Sequence, residues 1–307
     1  MSYQKELTVA TKLVKNASRI TGWFKEQNFR KLEKNDKTPV TLADMASQIY
    51  IISGLKKEFP NDQIIAEEES SLLASKLKGR IEKSFSQLNI PIKGDFKEIL
   101  DYRGSSSQRK WTIDPVAGTK GFCLPNGIYC IAIGFMIDDC PLVCAIHVPN
   151  YRHGIPATFR AMKDNGAFAS YGGKEFERVQ VSSRSNLDSA RMCQSKHNSS
   201  SEINEFAEMV GISEKLCIDS MAKYCKIAEG SYDFYLRHSN FYNGSWDFIP
   251  GNLLIQEAGG NMTDLKNNNL KFQENCCILS APGFLASNNL LHDKILQIYN
   301  ENFPERT

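Results

Sequence analysis

Residues 128 to 148, IYCIAIGFMIDDCPLVCAIHV, constrain the fold more than any other stretch. Two apolar runs of strand length, IYCIAIGFMI and PLVCAIHV, flank the pair Asp138 and Asp139, and a polar pair between such runs marks a turn. The pattern predicts a β-hairpin. A second hairpin is predicted directly after it, because ATFRAMK and GAFAS flank the turn sequence Asp164-Asn165-Gly166. Gly172 and Gly173 in YGGKEFERV read as a further hairpin turn. A chain of 307 residues with 41% hydrophobic content can bury a sizeable core around such a sheet.

Helices precede the sheet. Leu7, Ala10, Leu13, Val14, Ala17, Ile20 and Phe24 recur at three- and four-residue spacing and predict an amphipathic packing helix. A second helix is bounded by Pro39 before it, Thr41 as its N-cap and Pro60 after it. QIIA then reads as a buried strand running into the acidic triplet at 67 to 69, and the weakly periodic residues 71 to 100 read as helix and loop, a candidate flap. After about residue 180 strands and helices alternate: strand ARMCQS, helix 201–210, strand KLCI, helices 221–229 and 246–258, strand CCILSA and a closing helix. Gly259 and Gly260 read as the stop of the helix before them. The expected fold is a layered αβαβα sandwich, α+β with an antiparallel sheet in the first half and mostly parallel α/β in the second. The expected domains are 1–180, α+β, and 181–307, α/β.

Formal net charge is +2 and no long run of like charge occurs, which argues against a polyanion-binding face and a nucleic acid partner. Nine cysteines without a CxxC pair, and no signal-peptide pattern, predict reduced thiols in a cytoplasmic protein. No apolar run approaches the roughly 20 residues that span a bilayer, so no membrane association is expected.

Acidic residues fall at element ends: Glu67 and Glu68 after a strand, Asp114 before a proline loop in WTIDPVAGTKGF, and Asp247 at a helix start. Oxygen ligands contributed by distant segments suit Mg²⁺, which takes octahedral oxygen coordination. Each residue alone also has an ordinary use, a helix-dipole partner for Asp247 and a solvated surface for the triplet. Their weight lies in combination.

The set DKTPVTLAD, IIAEEES, WTIDPVAGTKGF and WDFIPGNLLIQEAGG resembles the lithium-sensitive, magnesium-dependent phosphatase superfamily that includes inositol monophosphatase and fructose-1,6-bisphosphatase. Within it, DKTPVTLADMASQ, GTKGF and DSMAKYCKIAEGSYDFYLR are most similar to the 3'(2'),5'-bisphosphate nucleotidases, which remove the 3'-phosphate of adenosine 3',5'-bisphosphate. The resemblance runs in order over nearly the whole chain. It implies metal ligation by Glu67, Asp114, the Val116 carbonyl and Asp247, and orientation and deprotonation of the attacking water by Asp44 and Thr119. It also implies substrate contacts from Gly118, Thr119, His197, Ser220 and Asp247, with Lys223 and Arg237 on the 5'-phosphate. A second cationic clamp suits a substrate with two phosphates, one cleaved and one positioning. By themselves Lys223 and Arg237 would read as a solvated helix lysine and a surface strand arginine.

The family pattern D-P-[ILV]-D-G-T carries an aspartate where this chain has Ala117, and that aspartate ligates a second metal in the family. A methyl group offers a cation no lone pair, so of the two or three Mg²⁺ sites one is expected to be lost and turnover impaired. The intact surroundings favour a single introduced change over natural decay. Alternatives are an inositol polyphosphate 1-phosphatase and a catalytically dead nucleotide sensor. A monomer acting on a small nucleotide bisphosphate in sulfur metabolism is the expected form.

Overall fold

A computed structural model of the chain describes residues 2–27, 32–33, 39–40, 42–73, 75–106, 108–197, 199–238, 244–273, 276–278 and 283–303. The expected N-cap Thr41 and the end of the expected strand CCILSA lie outside them. The first half runs α1 (Gln4–Glu26), β1 (Leu32–Glu33), β2 (Pro39–Val40), α2 (Leu42–Glu58), β3 (Gln63–Ala66), α3 (Ser75–Gln87), α4 (Phe96–Leu100), β4 (Arg109–Ala117), α5 (Thr119–Phe122), β5 (Cys130–Ile137), β6 (Cys140–Arg152), β7 (Ile155–Met162), β8 (Gly166–Tyr171) and β9 (Glu177–Val179). Strands β3 to β9 form one seven-stranded sheet in chain order, parallel at β3/β4 and antiparallel elsewhere.

Both predicted hairpins form. Ile137 pairs with Cys140 across Asp138 and Asp139, whose φ of 48° and 62° give the two left-handed residues that match the twist of a two-residue hairpin. Strand β5 is apolar nearly throughout because both of its faces are covered. Ile131, Ile133 and Phe135 point into a core with α1 and α2, while Cys130, Ala132 and Met136 point into a second core on the opposite face.

Residues 71 to 100 are not a flap. They form α3 and α4, and Ile81, Phe85, Phe96, Ile99 and Leu100 are buried in the first core. Their periodicity looks weak because the two helices are joined by the non-helical segment 88–95, in which Leu88, Ile90 and Ile92 also pack on the core, so no single 3.6-residue repeat spans the segment.

The second half contains β10 (Arg191–Gln194), α6 (Ser201–Met209), β11 (Glu214–Cys217), α7 (Ala222–Ala228), β12 (Phe234–His238), α8 (Ile249–Glu257), β13 (Asn261–Asp264), β14 (Lys271–Gln273), β15 (Cys276–Ile278), β16 (Gly283–Ser287) and α9 (His292–Asn302). The five-stranded sheet has the order β11-β10-β12-β16-β13. Its pairings make it mixed: β10 is parallel to β11 and β12, and β16 is antiparallel to β12 and β13. Four strands thus share one direction, and α6, α7 and α8 each link one of them to the next, as parallel strands require. Strand β16 runs the other way because its connection from β13 contains the β14–β15 hairpin and no crossover helix among the described residues.

Helices α7 and α8 lie between the two sheets, with Leu253 and Ile255 in the same core as Ile146 and Phe159. A third core joins α6 and α9 to the outer face of the second sheet through Phe206, Phe234, Leu285 and Tyr299. The layers therefore run αβαβα, as expected. One long-range clamp crosses them: the Glu257 carboxylate at the end of α8 accepts from the amides of Asp164 (2.8 Å), Asn165 (3.1 Å) and Gly166 (2.7 Å) in the β7–β8 turn. Among the described residues no helix is long and apolar enough to cross a membrane. Cys123, Cys130, Cys140, Cys144, Cys193, Cys217 and Cys225 are free thiols.

Candidate active site

The parallel register of β3 and β4 pairs Ala66 with Ile113, so the next residues, Glu67 and Asp114, leave the same edge of the sheet side by side. Strand β4 then bulges against β5 between Asp114 and Ala117, where Pro115 has no amide to give the ladder. The bulge turns in on itself: the Val116 amide donates to Asp114 Oδ1 at 3.2 Å, and the Thr119 hydroxyl donates to the Val116 carbonyl at 3.2 Å. Asp114 is buried and Glu67 half-buried.

Helix α2 clamps both strand ends. Ser47 Oγ donates to the Pro115 carbonyl at 3.0 Å. The Gln48 amide takes both backbone groups of Glu68, donating to its carbonyl at 2.7 Å and accepting from its N–H at 2.9 Å. Asp44 lies one turn earlier on the face that carries Ser47 and Gln48, buried in the first turn of α2. Asp247 closes the far side from a 3-10 turn, Ser245–Asp247, that packs on β4 and β5.

Gly118 joins this wall to the second half of the chain. Its φ is +85°, and a Cβ there would sit 2.9 Å from Ser220 Cβ, so only glycine lets the loop meet the turn before α7. At that turn the Asp219 carboxylate accepts from Ser195 Oγ (2.9 Å), from the His197 amide (2.9 Å) and from His197 Nδ1. Burial would raise the Asp219 carboxyl, but the hydrogen bonds from His197 and Ser195 outweigh it and hold it below its ordinary value. Lys223 is buried and donates to the carbonyls of Ile218 (2.9 Å) and Ser220 (3.1 Å). Burial pushes its ammonium down to about 8, with Asp219 opposing. Lys223 Nζ lies 4.9 Å from the centre of the Tyr235 ring, and Arg237, two residues along the same strand, has a buried Nε with no acceptor among the described residues.

The structure thus places Glu67, Asp114, Val116, Thr119, Asp44 and Asp247 around one set of strand ends. It sets Ser220, Lys223, Arg237 and His197 on an adjoining wall. Two details differ from a simple reading of the sequence. The Thr119 hydroxyl bonds to Val116 and not to Asp44, and among the described residues no three His, Cys, Asp or Glu side chains come close enough together to hold a metal ion. Ala117 adds no donor; its methyl is buried opposite Cys130 in the core between the sheets. Sequence reasoning missed Ser47, Gln48 and Asp219. The first two stand three and four residues after Asp44, the spacing of one helix face, and Asp219 immediately precedes Ser220. A cleft of about 1310 Å³ adjoins the site, sharing Ala43 of α2 and Phe122 of α5 as lining.

A family model described as the Inositol monophosphatase family matches residues 2–302. The chain belongs to that family. Among curated members it is 30% identical over 344 residues to the 3'(2'),5'-bisphosphate nucleotidase of Emericella nidulans, a match covering 96% of this chain and 97% of the relative. It is 30% identical to the protein of that name in Schizosaccharomyces pombe, over 97% of this chain and 95% of the relative. Among solved structures of inositol monophosphatases, the Thermotoga maritima enzyme superposes with a TM-score of 0.71 at 21% identity, over 99% of this chain and 100% of that one. These likenesses establish an inositol monophosphatase fold of layered sheets and helices.

Proposed function

We propose that this chain is a bisphosphate nucleotidase that removes the 3'-phosphate of adenosine 3',5'-bisphosphate, or of its sulfated form, to leave the 5'-phosphorylated nucleoside and phosphate, with turnover lowered by Ala117. The observation that carries the substrate assignment is the second wall: a buried Lys223 and an Arg237 with a free Nε stand beside Ser220, where the catalytic loop touches at Gly118. An enzyme for a single phosphate has no need of a second cation pair. The names of relatives 30% identical over most of the chain point the same way.

Glu67, Asp114, Asp247 and the Val116 carbonyl are all hard oxygen donors, the class Mg²⁺ takes, and would hold it by drawing closer together than they stand without it. The metal, when bound, neutralises phosphoryl oxygens and acidifies water. Ala117 leaves one metal position short of a carboxylate. Thr119 Oγ spends its proton on the Val116 carbonyl, so its lone pairs remain to accept from a water and fix the line of attack. Asp44, at the start of α2, receives the proton from that water. Lys223 uses two of its three N–H bonds on carbonyls and has a third for the 5'-phosphate. Arg237 supplies the planar donors beside it, and Asp219 holds His197 by Nδ1, which leaves Nε2 for the nucleotide. In this reading residues 1–180 form the metal-binding unit and 181–307 the nucleotide-binding unit. The protein acts as a lithium-sensitive monomer in the cytoplasm.

The test is phosphate release by the Ala117→Asp variant from adenosine 3',5'-bisphosphate, adenosine 2',5'-bisphosphate and inositol 1,4-bisphosphate with Mg²⁺. Preference for the first is expected, with loss of activity in excess chelator. Preference for the inositol substrate overturns the nucleotide assignment, and no rescue on any substrate makes the protein a sensor and not an enzyme.

A further inference from the structure

Three strands away from β4, the sheet face beneath α1 carries two cations, Lys15 and Arg160, that have no acidic partner among the described residues. Arg160 on β7 pairs with Ala145 on β6, and Ala145 is buried in the core shared with α1, so Arg160 lies on that face. Its guanidinium carbon is 3.7 Å from the centre of the Phe176 ring, and Lys15 Nζ of α1 is 4.9 Å from the same centre. Two cations share one ring. A third basic group, His147 on β6, bonds through Nδ1 to Thr158 Oγ1 at 2.9 Å, and burial first, then Lys15, lowers it to about 4.

Two other half-buried arginines have acidic partners, Arg109 with Asp62 and Glu6 and Arg184 with Asp233, whereas Arg160, like Arg237 of the candidate site, has none among the described residues. The Arg160 and Lys15 side chains make no ion pair or hydrogen bond among the described residues, and Arg160 Nε is buried with no acceptor. The acids nearest in sequence to the ring, Glu175 and Glu177, are exposed, and on the β9 side Arg178 adds another positive charge over Gly166. Burial lowers both Lys15 and Arg160, and Arg160 lowers Lys15 further.

We propose that Lys15 and Arg160, walled by Phe176, form a binding site for a tetrahedral dianion of the phosphate or sulfate class, separate from the candidate active site. Two charges that repel each other are both satisfied by one doubly charged ligand. The guanidinium presents parallel donors that match a pair of tetrahedral oxygens, the ammonium adds a point charge, and the ring holds the guanidinium plane in place.

The experiment follows the Arg160 Nε–H resonance in the full chain by nitrogen-15 NMR, assigned by its loss in Arg160→Lys. Inorganic sulfate, inorganic phosphate and sodium chloride are titrated at matched ionic strength. This signal is local, so anions entering the candidate active site do not move it. A saturable shift with sulfate and phosphate and none with chloride is expected, the stronger of the two identifying the preferred ion. Lys15→Gln should raise the midpoint at least about tenfold. Lys15→Met, which keeps an aliphatic stem over Phe176, should raise it equally, separating lost charge from lost packing. Chloride acting like sulfate, or a midpoint unchanged in both Lys15 variants, overturns the proposal.

Discussion

The two walls of the candidate site are held by different chemistry. Around Asp114 and Glu67, neutral side chains clamp backbone: Ser47 on Pro115, and Gln48 on both polar groups of Glu68. Around Ser220, charged groups do the work of positioning, with Asp219 gathering Ser195 and His197 and Lys223 tying the carbonyls of Ile218 and Ser220. Neutral clamps add no charge to a wall already crowded with carboxylates, whereas charged clamps double as the surface that meets an anion. It follows that pH should act chiefly on the second wall, and that chemistry and affinity should be separable by mutation.

The sharpest separation is at Ala117. If a restored carboxylate contributes on the order of 4 kcal/mol to the transition state, Ala117→Asp raises turnover about a thousandfold, at roughly 1.36 kcal/mol per factor of ten. Nucleotide affinity should stay level or fall slightly, since the pocket gains a negative charge. Single-turnover phosphate release and calorimetry on one preparation check both, and a gain under about tenfold, ~1.4 kcal/mol, would show that this wall does not depend on position 117.

On the second wall, Arg237→Ala should weaken binding of adenosine 3',5'-bisphosphate by roughly 2 to 5 kcal/mol and of 3'-AMP far less. Equal losses in calorimetry would remove Arg237 from the second phosphate. A milder effect comes from pH. Lys223 is held down to about 8, so its ammonium is complete below that value and lost as pH rises through it. Bisphosphate affinity should therefore decline above pH 8, and the decline should be absent in Lys223→Met. The same break surviving in that variant would assign it to another group. Smallest is the neutral clamp: Gln48→Ala leaves two backbone groups of Glu68 unpaired and should cost about 1 to 3 kcal/mol in urea unfolding. That loss should not vary between pH 6 and 9, and a strong pH dependence would erase the distinction between the walls.

How much of this was legible depends on the range of each interaction. Asp114, Gly118 and Thr119 stand out because a strand, a proline and a glycine turn follow one another within a dozen residues. Gln48 does not, since a glutamine in a helix reads as solvated until the register of β3 brings Glu68 against it. Asp219 was hidden behind its neighbour Ser220, because its partners Ser195 and His197 lie more than twenty residues away, in a polar loop. The layered fold followed from alternating elements. Strand β16 did not: the alternation predicts a strand at CCILSA, of which Cys276–Ile278 pairs with β14 outside the five-stranded sheet, and the sheet strand is the next apolar run, Gly283–Ser287.

The Glu257 clamp on the β7–β8 turn bears on the order of assembly. The hairpin tip closes locally, with Asp164 and Gly166 at φ of 60° and 90°, and its strands can pair as soon as residues 155 to 171 are synthesised. The Asn165 amide already donates to the Met162 carbonyl at 3.0 Å within the turn, but the amide of Asp164 waits for a carboxylate 93 residues further along the chain. On a growing chain the tip therefore stays open to solvent until α8 emerges and docks between the sheets. Amide hydrogen exchange at Asp164 is thus a clock for the joining of the two halves, not for the hairpin that contains it.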